Sequence, residues 1–133
     1  MKKVLFLLIG LFLTVSVFAQ NNVQVDVYYF HITHRCNTCI SIEAQVKKTL
    51  DTHFAAQLQD GSVKLHVINC ELPENKVISE KYLAYGSTLA ITRTVQGKEI
   101  VEDITGWAFQ KVHTPEVFIS ELKAKIDEAI KNQ

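Results

Sequence analysis

The chain reads as an α/β protein: a four-stranded mixed sheet with helices on both faces, in the order β-α-β-α-β-β-α. Three observations predict this. Segments that alternate apolar and polar residues take turns with segments whose apolar residues recur every three or four positions. The first strand, helix and second strand form one unit, which a right-handed crossover makes a parallel pair. The third and fourth strands are joined at Gln96-Gly97, a tight hairpin signal that makes them antiparallel. A length of 133 residues suits one such domain.

The elements follow in order. Val23 to Phe30 (VQVDVYYF) is β-branched and aromatic with partial alternation, a strand. Residues 31–35 form a loop. From about Cys36 to Leu58 the apolar positions Cys39, Ile42, Val46, Leu50 and Phe54 mark one face of a long helix, which Asp60-Gly61 ends. Val63 to Asn69 alternates and is the second strand. Pro73 suits the first turn of a helix to about Ala84, with Val77, Ile78 and Leu83 as its apolar side. Tyr85-Gly86 stops it. Thr88 to Val95 and Glu99 to Thr105 are the hairpin strands. Thr114-Pro115-Glu116 supplies an N-cap, a first helical residue and a favourable charge for the last helix. Phe118, Leu122, Ile126 and Ile130 repeat along it every fourth position. Residues 107–113 match no pattern, and Trp107 is expected to be exposed there.

Hydrophobic residues make up 47% of the chain and charged residues 21%, enough for a packed core. The formal net charge is zero, which removes the electrostatic argument for nucleic-acid binding. Met1-Lys2-Lys3, the apolar run Val4 to Phe18 and Val17-Phe18-Ala19 have the form of a signal peptide over residues 1–19, cleaved after Ala19. The apolar run is shorter than the roughly 20 residues a membrane-spanning helix needs. The domain would then be residues 20–133, periplasmic or secreted, with no membrane span. Losing Lys2 and Lys3 leaves 12 basic and 14 acidic residues, a net charge of −2. A monomer is the default expectation.

All three cysteines lie beyond the leader, so an oxidising compartment governs their chemistry. Cys36-Asn37-Thr38-Cys39 stands at a strand-to-helix junction. There the unpaired N–H groups and the helix dipole favour a thiolate at Cys36, and Arg35 adds positive charge. Cys39 falls on the apolar stripe and is expected to be the more buried partner, closing the disulfide after Cys36 has attacked. Three uses compete: a redox-active disulfide, a soft-metal or metalloid site, and a structural cross-link. The last gains little from so short a loop. No other cofactor is implied by the residues.

The run Val25-Asp26-Val27-Tyr28-Tyr29-Phe30-His31, followed by Thr33-His34-Arg35-Cys36-Asn37-Thr38-Cys39, resembles a family of bacterial exported proteins, the nitrophenyl compound nitroreductase subunit ArsF family. Its most specific element is the Arg-Cys-x-Thr-Cys core. The resemblance covers essentially the whole chain after the leader, with its specificity in residues 25–39. It implies a thioredoxin-like three-layer α/β/α sandwich and a part in nitroaromatic reduction. Nitro reduction draws electrons from a cofactor or partner, and the sequence holds no flavin or nicotinamide motif. The implied role is therefore a thiol relay, an accessory subunit with a thiol or disulfide protein as its partner.

The similarity to thioredoxin itself is weaker. Where thioredoxins carry a cis-proline, Tyr85-Gly86-Ser87-Thr88-Leu89 places Ser87, whose peptide bond is expected to be trans. The resemblance makes Ser87, Thr88 and Thr38 the substrate groove, and a serine at that place leaves the thiols open to metal. Phe30 stands where thioredoxin's buried acid would be.

Cys70 follows the second strand. In this topology the ends of the first two strands are adjacent, and ligands of open α/β sheets gather at those ends. Cys70 is either a small residue packed at a strand end or a third thiol of the site. As a third thiol it would resolve mixed disulfides, or bind copper, zinc or arsenite with Cys36, Cys39 and His34. His31 and His34 precede the motif and are candidates to stabilise a thiolate; His53, His66 and His113 read as structural or solvated. Tyr28, Tyr29 and Phe30 read as core.

Overall fold

The computed structural model describes residues 24–133. The leader at residues 1–19, and Val23 at the start of the first strand, lie outside the described residues. The elements are β1 (Val25–His31), α1 (Asn37–His53), α2 (Ala55–Asp60), β2 (Val63–Asn69), a 3-10 turn (Pro73–Asn75), α3 (Lys76–Lys81), β3 (Thr88–Val95), β4 (Lys98–Asp103), α4 (Thr105–Lys111) and α5 (Pro115–Lys131). The strands form one mixed sheet in the order β2-β1-β3-β4. β1 runs parallel to β2, with Val25 opposite Val63 and His31 opposite Asn69. It runs antiparallel to β3, and β3 antiparallel to β4. Strand and helix order match the α/β sandwich expected from the periodicities.

The central strand explains why the layers form. Val25, Val27 and Tyr29 point to one face, where they pack with Ile42, Val46, Leu50 and Phe54 from the α1 stripe and with Phe118, Leu122 and Ile126 of α5. Phe30 points to the other face and packs with Tyr82, Ala84 and Ala90, flanked by partly buried Tyr28, Ile68, Cys70 and Ile78. A strand buried on both faces needs a near-continuous apolar run, which VDVYYF supplies. The hairpin turns as the sequence suggests. Gln96 and Gly97 both have positive φ, 51° and 75°, the geometry of a two-residue turn that matches strand twist.

Several expectations are corrected. The first helix does not run unbroken to Leu58. It ends at His53, and Phe54 (φ −130°, ψ 22°) links it to α2. The break keeps the Phe54 ring in the core, 1% exposed. The second helix is shorter than residues 73–84, and its buried side is not Val77 and Leu83, which are 80% and 73% exposed. The residues turned inward are Ser79, Tyr82 and Ala84. The cause is how α3 ends. The Ala84 N–H donates to Ser79 O and the Leu83 N–H to Glu80 O, with Leu83 in the left-handed region at φ 51°. This is a Schellman closure, in which the left-handed residue is usually glycine. It directs the leucine side chain to solvent.

The fourth strand is Lys98–Asp103, not 99–105, and all six of its residues are exposed. Thr105 opens α4 instead, its N–H donating to Asp103 Oδ1 at 2.8 Å. The unassigned piece at 107–113 is mostly this helix. Trp107 is not free in solvent: it lies 4.8 Å from the Phe118 ring and donates through Nε1 to Glu121 Oε2 at 2.7 Å. Thr114 sits at the N-cap of α5 without capping it; its hydroxyl donates back to Lys111 O at 3.1 Å. Among the described residues no helix is long and apolar enough to cross a membrane.

Two substitutions separate core from surface. Leu122→Ala removes a fully buried side chain and is expected to cost about 2–5 kcal/mol, whereas Val77→Ala stays within about 0.5 kcal/mol. Leu83→Gly relieves the left-handed strain and is expected to raise stability by about 0.5–1 kcal/mol. Urea unfolding of the variants measures all three; a loss of stability in Leu83→Gly would contradict the closure described for α3.

Candidate functional site

β1 ends at His31, and five residues later the chain reaches Cys36, the N-cap of α1. The intervening loop is tied to the exit of β2. The Cys70 N–H donates to His31 O at 2.8 Å, Thr33 N–H to Glu71 Oε2 at 2.8 Å, and Asn69 Nδ2 to Thr33 Oγ1 at 3.0 Å. The bonds from Thr33 hold the Glu71 carboxyl below the usual carboxylate range. Three bonds on so short a loop fix where it delivers Cys36.

Cys36 and Cys39 are joined as a disulfide, with Cα atoms 5.3 Å apart. Cys36 is exposed and Cys39 is 8% exposed, the asymmetry the apolar stripe predicts. Cys36 is extended at φ −79°, ψ 159°, and its Sγ accepts from the Cys39 N–H at 3.2 Å. The sulfur thus occupies the place of a capping oxygen. A thiolate there faces an unpaired N–H and the positive end of a 17-residue helix, both of which favour the anion. Such a pair can be attacked or reduced at the exposed sulfur while the buried one closes the ring again.

Beneath the disulfide, the buried Tyr29 hydroxyl donates to Cys39 O at 2.7 Å. This fastens the first turn of α1 to the central strand. The Arg35 guanidinium lies 5.7 Å from the Tyr29 ring centroid and pairs with Glu43, which also pairs with Lys47. Burial pushes the Glu43 carboxyl upward, but the hydrogen bonds and charges of Lys47 and Arg35 outweigh it and hold it below its ordinary value. Burial acts against the Arg35 charge, and Glu43 restores it, leaving its pKa raised. Arg35 is therefore positioned beside Cys36 with its charge largely satisfied by Glu43.

The other residues singled out from the sequence fall around this centre unevenly. Thr38 is in the first turn of α1, partly buried. Thr88 opens β3 opposite Phe30, so the 85–88 segment reaches the sheet end where Cys36 emerges. Ser87 is partly buried, and every described peptide bond is trans. His34 is exposed; His31 holds its Nδ1 2.9 Å from Ile32 O. Cys70 is a free thiol that packs in the Phe30 cluster, on the face of the sheet opposite α1. Among the described residues no three His, Cys, Asp or Glu side chains converge to hold a metal ion. His66, read as structural or solvated, lies 4.3 Å from the Tyr28 ring centroid and 2.7 Å from Asp26 Oδ1.

Two participants are not identified by sequence patterns. Glu43 shows its pairing with Lys47 by helical spacing, but its bond to Arg35 crosses from loop to helix, where no spacing rule reaches. Tyr29 is recognisable as core, but its hydroxyl's partner is not.

No family model matches the chain, and no curated protein does. One solved structure, described as "Structure of a malarial protein", is similar at 15% identity over 68% of this chain and 98% of its own, with a TM-score of 0.42. A likeness at that level carries no argument about function.

Tyr29→Phe keeps the ring and removes the hydroxyl, so it is expected to cost about 0.5–1.5 kcal/mol in chemical unfolding. The Glu43 carboxyl, depressed in the folded state, contributes stability that is present above the ordinary carboxylate range and lost as pH falls through its folded value. Stability measured from neutral to acidic pH is expected to fall less steeply in Glu43→Gln; an unchanged profile would show the Arg35–Glu43–Lys47 group to be thermodynamically silent.

Proposed function

We propose that the protein is a thioredoxin-like thiol–disulfide exchange protein acting through Cys36 and Cys39. One observation carries the reading: an exposed sulfur caps the α1 N-terminus and is bonded to a buried sulfur in the first turn of the same helix. Reduced, Cys36 attacks a partner disulfide. One partner sulfur leaves with the electron pair and takes a proton, and a Cys36–partner mixed disulfide forms. Cys39 then attacks Cys36, closes the internal disulfide and releases the partner reduced. The reverse sequence oxidises a partner dithiol. Arg35 is a positioning residue, held over Tyr29 and by Glu43 beside the loop that delivers Cys36.

The sequence supports a setting for this chemistry. The leader-like residues 1–19 support action in the periplasm or outside the cell. The Arg-Cys-x-Thr-Cys resemblance supports an accessory electron-relay role in nitroaromatic reduction, with a thiol or disulfide protein as partner. The working unit is taken as a monomer with no bound cofactor besides the disulfide.

Equilibration in dithiol buffers is expected to give a reversible two-electron couple that added copper, zinc or arsenite leaves unchanged. Cys36→Ser is expected to abolish exchange, whereas Cys39→Ser accumulates mixed disulfides with a partner. A pair that refuses to close, or a titration that collapses when metal is added, would sink the proposal in favour of soft-metal binding.

A further inference from the structure

The Glu43 carboxylate divides its two oxygens between two cations. Oε2 accepts from Arg35 Nη2 and Oε1 from Lys47 Nζ. The Arg35 guanidinium is therefore gripped at one corner only, although its fork can give a carboxylate two parallel bonds. Its Nε is buried and has no hydrogen-bond partner. The three groups differ in setting: the Lys47 side chain is 50% exposed, Arg35 22% and Glu43 12%. A carboxylate so enclosed is costly to leave without a cation, and Lys47 alone meets that need. Arg35 is thus the partner that Glu43 can release. It also stands where a second anion arises. Arg35 precedes Cys36 in the chain, and its guanidinium lies 5.7 Å from the centroid of the Tyr29 ring, whose hydroxyl donates to Cys39 O at 2.7 Å. The disulfide carries no charge. Reduction creates a thiolate on the exposed residue next to Arg35.

We infer that Glu43 sets the reactivity of Cys36 by competing with its thiolate for Arg35, and that Lys47 permits the exchange by keeping Glu43 paired. In the disulfide form Arg35 is bonded to Glu43. When the disulfide opens and Cys36 carries negative charge, Arg35 turns a donor to the sulfur, and Glu43 keeps Lys47. Only hydrogen bonds change partners, so no electron or proton moves beyond those of the exchange step. The competition has a chemical consequence. A thiolate with an undivided claim on the guanidinium would be plentiful but a weak nucleophile, and the dithiol form would be the favoured one. Glu43 takes part of that stabilisation away, which makes the pair a stronger reductant than Arg35 alone would leave it. Glu43 is a positioning residue, since it acts on the sulfur through Arg35. The inference rests on the exchange reading of Cys36 and Cys39 and names what tunes that site.

The test compares the wild type, Glu43→Gln, Arg35→Gln and the double variant, with Glu43→Ala repeating the comparison through a helix-favouring residue. Two quantities are read at pH 7: the initial rate at which iodoacetamide alkylates Cys36 in the reduced protein, located by peptide mapping, and the equilibrium of the pair with glutathione. Alkylation needs only reduced thiols, so it decides the competition by itself. A pair that forms no reversible couple with glutathione counts against the exchange reading instead. Glu43→Gln is expected to raise the alkylation rate about threefold and to move the equilibrium toward the dithiol. That figure is the roughly tenfold gain in thiolate from one charge-assisted hydrogen bond, offset by the lower nucleophilicity of a more stable thiolate. Arg35→Gln is expected to slow alkylation less than about twofold while Glu43 is present, and about threefold in the Glu43→Gln background. Equal effects of Arg35→Gln in the two backgrounds would show two independent charges and overturn the inference. So would an alkylation rate that Glu43→Gln and Glu43→Ala leave unchanged or lower.

Discussion

The seating of β1 between β2 and β3 is the constraint on which the other features rest. Both edges of this strand are hydrogen-bonded and both faces are covered, so Val25, Val27, Tyr29 and Phe30 are fully buried. Two separate clusters therefore draw on one seven-residue segment. A slip of one residue would exchange the two faces and place Asp26 among the aliphatic side chains under α1. The register also decides where the chain leaves the sheet. His31 ends level with Asn69, and that alignment permits the loop-to-loop bonds that hold the approach to Cys36.

Tyr29 carries this order from the sheet into the site. Its ring belongs to the larger cluster, its face lies beneath Arg35, and its hydroxyl reaches the backbone of the buried cysteine. The first turn of α1 is thus held from below by a sheet residue and at its open end by the Cys36 sulfur. Such anchoring matters for a short cross-link, because both sulfurs must find the same positions each time the bond opens and closes. The mutual satisfaction of Arg35 and Glu43 keeps a half-buried charge near the sulfurs without leaving it unpaired, a condition that would otherwise cost heavily.

The sequence made the sheet legible because strand periodicity, the parallel crossover and the hairpin signal all agree with the tertiary packing. The α1 stripe from Cys39 to Phe54 was legible for the same reason: every position in it is buried. Where local pattern and tertiary context part, the pattern misleads. Val77 and Leu83 have helical spacing, yet a left-handed residue ends α3 and sends Leu83 outward, while Ser79 and Tyr82 take the buried side. Trp107 sits in a helix too short to show a period, and its burial comes from α5. The thiol pair could be located from spacing and context alone. The supports of the pair could not, since Tyr29–Cys39 and Arg35–Glu43 are meetings between elements, and no one-dimensional rule reports them.

The outer strand of the hairpin has a consequence for how these molecules behave in each other's company. β4 is paired on one side only and exposed along its length, so its free edge presents backbone groups that another strand could extend. Four of its six residues are charged: Lys98, Glu99, Glu102 and Asp103. Two such edges approaching one another bring together surfaces of the same net sign, and the repulsion opposes the ladder before it can form. The rim thus works as a colloidal guard for a chain whose sheet is otherwise open at this end. Because the guard is made of solvent-exposed charge, its reach is set by the ionic strength of the surrounding fluid.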